Sequence, residues 1–240
     1  MNVKSVRLIT FDCYGTLIDW ETGMLASLRS LLRNRVKIED DKLLELYGEI
    51  EVQLESGPYM VYRAVLGRAA EEIGRRLNAP ISAADAQHFA NSLRVWKPFP
   101  DTVDALHALA KHYKLAIISN IDDDLFADTQ RLLRTSFEFV VTAQQVRSYK
   151  PSHNNFEEAM KRAQERGIAR KEMLHAGQSL YHDVAPANAL GLKSAWVNRR
   201  FDKSGSGATV PGNAKPSIKV NSMEELAKTL VTDQGLSVGF

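Results

Sequence analysis

The sequence predicts an α/β fold, a doubly wound, Rossmann-like parallel sheet with an inserted helical cap domain, on three observations. Val6, Leu8, Ile9 and Phe11 form an apolar run that reads as a buried strand, ended by Asp12 and the turn signal of Gly15. From about residue 101 onward, strand-like and helix-like stretches alternate, which specifies βαβ units with right-handed crossovers. Between them, residues 18–96 carry helical spacing only. The expected division is therefore an α/β core of residues 1–17 and 97–240, with residues 18–96 as a helical cap lying over Asp12.

In chain order, residues 21–35, 40–56, 59–78 and 82–93 read as helices, the second from Leu43, Leu44, Leu46, Tyr47, Ile50 and Leu54. Gly57-Pro58 and Asn78-Ala-Pro80 separate them, and Ser82 with Asp85 resembles a capping box. The prolines of Trp96-Lys-Pro-Phe-Pro-Asp101 mark the return to the core. Strands are then expected at Leu115–Ser119, Phe139–Thr142, Met173–Ala176 and Ala195–Val197, with helices near 101–112, 123–134, 153–167 and 183–190. A Gly/Ser/Pro-rich loop, Ser204–Ser217, precedes a last strand at Ile218–Val220 and a helix from Met223 to Val231; the tail from Thr232 is expected to fray.

The 240 residues suffice for one full core and a smaller unit. A composition of 44% hydrophobic and 25% charged residues is that of a soluble chain. With a net charge of +2 and scattered Lys and Arg, the basic residues read as solvated surface, so no nucleic-acid partner is expected. The single cysteine, Cys13, excludes an internal disulfide, suggests a reducing compartment and reads as a packing residue pointing away from Asp12. No apolar run approaches the ~18 residues of a membrane span, and no signal pattern opens the chain, so a cytoplasmic protein without membrane contact is expected.

In a parallel sheet, polar residues that follow separate strands meet at one edge. Here these are Asp12, Ser119-Asn120, Lys150 and the segment Gly177–Asp183. Each has a plain structural alternative. Asp12 could cap a backbone turn, Ser119 and Asn120 could begin a helix, Lys150 could be a surface lysine and Asp183 an N-cap. The acidic clusters at 39–41 and 122–124 read as helix starts or solvated faces. Four such coincidences in this order are less probable than a shared site.

The segment Val6–Ile18 resembles the first motif of the haloacid dehalogenase superfamily, and Ser119-Asn120, Lys150-Pro151 and Gly177–Asp183 resemble its other three. The resemblance implies a hydrolase in which Asp12 is the nucleophile, Thr16 steadies it, Lys150 holds it and Asp183 orients or activates water. Phosphatases of the superfamily carry a second aspartate where this chain has Tyr14, and a carboxylate metal ligand where it has Gln178. A tyrosine near pKa ~10 is a poor acid and an amide a weak ligand for a hard cation, so an enzyme without metal or cofactor is expected. The reaction implied is that of a 2-haloacid dehalogenase: displacement of halide from a small 2-substituted carboxylic acid through an ester on Asp12. Ser119, Asn120, Gln178, Ser179 and His182 are then expected near the substrate, and Tyr14, Trp20, Tyr62 and Arg63 toward the leaving group. A homodimer is a further implication of the resemblance.

Departures from the dehalogenase pattern concentrate on substrate contacts. Gly48 stands where those enzymes carry a cap arginine, Phe156 where they carry a tyrosine, and Gln178-Ser-Leu180 where they carry Ser-x-Asn; Arg63 is a candidate replacement for the lost cation. Azetidine-2-carboxylate hydrolase, which opens a strained ring by the same aspartyl chemistry, is the alternative that the missing arginine favours. A small-molecule phosphatase and a non-catalytic binding module on the same fold are the remaining alternatives.

Overall fold

The computed structural model describes residues 5–33 and 35–232. Six strands, β1 (Leu8–Phe11), β2 (Lys114–Ser119), β3 (Val140–Thr142), β4 (Met173–Gly177), β5 (Lys193–Val197) and β6 (Ile218–Val220), form one sheet in the order β3-β2-β1-β4-β5-β6. Every pairing is parallel. The order places β1 between β2 and β4, so the chain winds outward from the centre in both directions, and ligands of such sheets bind where the winding reverses. Asp12 emerges there, its N–H bonded to the carbonyl of Ala176 at 2.9 Å.

Burial of both sheet faces explains the continuous apolar strands. On one face Ile9, Phe11 and Ile117 pack with α5 (Thr102–Ala110), α6 (Asp123–Leu133) and α10 (Met223–Thr232). On the other, Leu8, Ala116 and Ile118 meet Phe156 and Ala159 of α8 (Asn154–Gln164) and Ala187 of α9 (Ala185–Ala189). Phe156 is therefore a core residue, wholly buried. A short helix not foreseen in the sequence, α7 (Ala143–Val146), follows β3 and is capped by Thr142. The expected tail falls on residues 233–240, outside the described residues, and Thr232 itself ends α10.

The stretch between β1 and α5 is helical as expected: α1 (Trp20–Leu32), α2 (Asp40–Glu55), α3 (Tyr62–Arg76) and α4 (Ala83–Ser92). Their apolar stripes, among them Met24, Leu28, Leu43, Tyr47, Val65, Leu66, Ile73 and Phe89, close one core. Ser82 caps α4 by accepting from the N–H of Asp85 at 3.1 Å.

Helix α3 begins at Tyr62 rather than at residue 59, and its own N-cap, Val61, has no side chain able to accept. The acceptor comes from the core. Asp122, just before α6, takes the N–H of Tyr62 at 2.7 Å and that of Arg63 at 3.0 Å. It is 2% exposed, so the reading of 122–124 as a solvated cluster fails at this residue, although Asp123 and Asp124 do start α6. A carboxylate at a foreign helix N-terminus satisfies two donors and the helix dipole together, which the local sequence cannot reveal. Asp122→Ala is expected to lower stability in urea unfolding by about 1–3 kcal/mol, with Asp122→Asn in between.

Candidate active site

Three strand ends and the turn after the fourth deliver one charged network. The Lys150 ammonium lies 2.8 Å from Asp12 Oδ1, 2.6 Å from Asp183 Oδ1 and 3.1 Å from the carbonyl of Ile118, so its three protons have three acceptors. Asn120 fixes the lysine's backbone from both sides, accepting from the Lys150 N–H at 2.7 Å and donating to the Lys150 carbonyl at 3.2 Å. The hydroxyl of Thr16 donates to Asp12 Oδ2 at 2.6 Å and accepts from the N–H of Gln178 at 2.9 Å. Asp183 is not an N-cap; Ser179 caps the π-helical turn Leu180–Val184 that leads into α9. Instead Asp183 accepts from Lys150, faces His175 Nε2 at 3.2 Å and takes the Ser179 N–H on its other oxygen. Gly177 makes room for it: a Cβ there would come within 2.5 Å of the Asp183 carboxyl.

The two carboxylates share one cation unequally. Burial opposes both, but Lys150 and His175 together hold Asp183 well below the usual carboxylate range. Asp12, pushed up by burial and by Asp183, with Lys150 opposing, remains the more basic of the two. Burial works against the charge of Lys150 as well, yet its two carboxylate partners keep it firmly protonated. Such a pairing leaves Asp12 with the greater proton affinity and Asp183 ionised beside Lys150. No group of three or more potential metal ligands occurs among the described residues.

A cavity of about 50 Å³ opens over Asp12. Of the residues singled out in the sequence, Tyr14, Trp20, Tyr62, Ser119, Asn120, Gln178, Ser179 and His182 line it with Asp12, Lys150 and Asp183, while Thr16 is bonded to Asp12 and is not among the lining residues. Several of these are already engaged. The hydroxyl of Tyr14 bonds Thr129 at 2.7 Å, and the amide oxygen of Gln178 accepts from Thr209 at 3.0 Å. The Ser119 hydroxyl is buried without a partner and so remains available to a ligand. Burial pulls His182 down to about 4, which makes it a neutral imidazole at physiological pH. Arg63 is not brought to the cavity: its guanidinium pairs with Asp124 at 2.5 Å. Cys13 is wholly buried, and burial followed by the charge of Asp12 pushes its thiol well up, consistent with packing.

Sequence reasoning missed Glu51, Glu55, Ala208 and Thr209 in the lining. Glu51 accepts from the hydroxyls of Tyr62 at 2.6 Å and Tyr47 at 2.9 Å. Burial raises it to about 7 against the two hydroxyls. Glu55 receives the Asn120 amide at 3.3 Å, and burial with the adjacent Glu51 raises it well above the carboxylate range. The signal was present as Tyr47, Glu51 and Glu55 at successive four-residue steps on one face of α2. It was masked because the apolar stripe of the same helix accounts for Tyr47.

The model of the family described as haloacid dehalogenase-like hydrolase matches residues 9–197. The chain belongs to this family. Haloacetate dehalogenase H-2 of Moraxella sp. (strain B) is 26% identical over 215 residues, covering 85% of this chain and 92% of that protein. The (S)-2-haloacid dehalogenase of Pseudomonas putida is 24% identical over 242 residues, covering 95% and 98%. Among solved structures, L-2-haloacid dehalogenase from Xanthobacter autotrophicus superposes with a TM-score of 0.77 at 18% identity, covering 94% and 98%. The six-stranded parallel sheet with flanking helices is thus the fold of these hydrolases. No described helix is long and apolar enough to cross a membrane.

The raised value of Glu51 has a direct consequence for stability. Because the folded protein holds this proton between pH 4.5 and about 7 and the unfolded chain does not, stability is lost as pH rises through that window. Glu51→Gln, which keeps an acceptor for both tyrosines, is expected to be more stable than the parent at pH 8 by about 2–4 kcal/mol. Urea unfolding at pH 8 and at pH 4.5 should show the difference shrinking toward zero at the lower pH.

Proposed function

We propose that this hydrolase displaces a leaving group from the carbon alpha to a carboxylate through an ester on Asp12, and that the leaving group is the ring nitrogen of a small, strained cyclic amino acid such as azetidine-2-carboxylate. The observation that carries this reading is the charge of the cavity. Glu51 and Glu55 face it from α2, and its one side-chain cation among the described residues, Lys150, is already shared by Asp12 and Asp183.

A 2-haloacid would add a carboxylate and release a second anion beside these glutamates. The raised proton affinity of both glutamates marks a wall that resists added negative charge, and neither can receive a halide as a cation would. A cyclic amino acid brings its own cation, since an alkyl ammonium near pKa ~10 is protonated at neutral pH. The arginine absent at Gly48 is then not missed, because an amine needs no positive partner.

In this mechanism Asp12 attacks the alpha carbon opposite the carbon–nitrogen bond, steadied by Thr16 and held by Lys150. The carbon–oxygen bond of the ester forms as the carbon–nitrogen bond breaks, with inversion at carbon. The departing nitrogen takes a proton from Glu55, whose raised affinity supplies it as an acid, and leaves as a primary ammonium paired with the two glutamates. Glu55, now ionised, receives a proton from water as that water attacks the ester carbonyl, which restores Asp12 and releases a 2-hydroxy acid. The substrate carboxylate is assigned to the free Ser119 hydroxyl. The helical unit acts as a cap that keeps bulk water from the ester.

A second reading, halide displacement, is favoured by the dehalogenase names of the relatives. The two are separated by products. With azetidine-2-carboxylate the expected product is 2-hydroxy-4-aminobutyrate, and Glu55→Gln should lower kcat by about 100-fold or more. Release of chloride from 2-chloropropionate at a higher kcat/KM would reverse the choice. Asp12→Asn should abolish either reaction, and multiple turnovers in heavy-oxygen water should place the label in Asp12 by mass spectrometry. Label found only in product would remove the ester from the mechanism.

A further inference from the structure

The cavity over Asp12, at about 50 Å³, has room for about three or four waters and less than a ring-bearing amino acid needs. Entry of a larger ligand is easiest where a wall can yield. Strand ends, α2 and α3 form most of the enclosure, and their backbones are tied by regular hydrogen bonding. The exception is the strap of residues 199–217 between β5 and β6, which has no regular structure.

The strap is anchored at its base. Arg200 pairs with Glu21 of α1 at 2.5 Å and with Asp41 of α2 at 2.8 Å, and the Ala208 N–H donates to Glu21 at 3.0 Å. Gly48 lets it cross α2: a Cβ there would stand 2.4 Å from the carbonyl of Ala208. The strap thus occupies the place that a side chain at position 48 would fill. Beyond this anchor, Thr209 reaches the core through one side-chain bond, to Gln178.

On the far side of that bond lies a second cavity of about 420 Å³, lined by Ser206, Pro211 and Trp196, and Gln178 and Thr209 form walls of both spaces. A third cavity, about 220 Å³, shares Glu55, Lys150 and His182 with the inner one, where the last turn of α2 and the Asn120–Glu55 bond close the wall. We infer that substrate reaches Asp12 from the 420 Å³ cavity past the Thr209–Gln178 bond, and that Thr209 sets what passes. This holds whichever group leaves the alpha carbon.

The test reads access without turnover. Ser119→Cys places a thiol in the inner cavity, and its alkylation by iodoacetamide is followed by peptide mass spectrometry, which separates it from Cys13. Removing the Thr209 hydroxyl with Thr209→Val is expected to speed labelling by about 2- to 10-fold, the worth of one net hydrogen bond. Filling the outer cavity with Ser206→Trp, or with Pro211→Trp should the first fail to fold by circular dichroism, is expected to slow it by at least about tenfold. Ser56→Trp, which fills the 220 Å³ cavity instead, should leave the rate within about twofold. Slowing by Ser56→Trp alone, or by neither plug, would overturn the inference.

Discussion

One ammonium group organises this site. Lys150 lies within hydrogen-bond reach of Asp12, Asp183 and a strand carbonyl, and no water is needed to satisfy it. A buried charge of this kind is tolerated only when every proton is matched, and matching it requires three neighbouring strands to end at the same level. The central place of β1, the room that Gly177 leaves for Asp183 and the clamp of Asn120 on the lysine backbone are all conditions for that one contact. The chemistry follows from its asymmetry. Asp183 receives the stronger share of support and becomes a fixed counter-ion, and Asp12 keeps the greater proton affinity that the proposed attack on carbon would draw on.

The second level of organisation is the acidic wall contributed by α2. Glu51 is held by two tyrosine hydroxyls and Glu55 by an amide, so neither is an unpaired charge stranded in the interior, and both keep protons that exposed glutamates would have lost. Carboxyls whose hold on the proton is raised are suited to give a proton in one half of a reaction and take one in the other. A destabilising arrangement over Asp12 is more readily understood as chemistry than as packing, since a glutamine at position 51 would satisfy the same hydroxyls.

The core was legible because its signals are local and periodic. Apolar runs bounded by turn residues located five of the six strands to within two residues at each end and the sixth to the residue, and the order of polar residues after them located the converging edge. What could not be read were contacts between units distant in the chain. Asp122 looks like the start of its own helix and serves another one. Arg63, in the first turn of α3, looks available and is bound to Asp124. Glu51 and Glu55 sit on a helix whose apolar stripe already explains its burial, so the polar continuation of the stripe passed as surface. The Gly/Ser/Pro-rich composition of 204–217 announced a loop, and nothing local told that its backbone would cross α2 at a glycine.

The Asp122 carboxylate, described above as a borrowed helix cap, also acts as a gauge. Ser119 and Asp122 belong to one short run of chain, and Asp122 grips the first residues of the helix that carries Tyr62, which in turn bonds Glu51. The spacing between Ser119 and the acidic side of the cavity is thereby referenced through three peptide bonds and two hydrogen bonds, a path separate from the linkers between β1 and α1 and between Val95 and α5. Manufacturing tolerance in the linkers is decoupled from tolerance at the reacting atoms, and insertions in the connecting segments can accumulate without detuning the distance that the chemistry depends on.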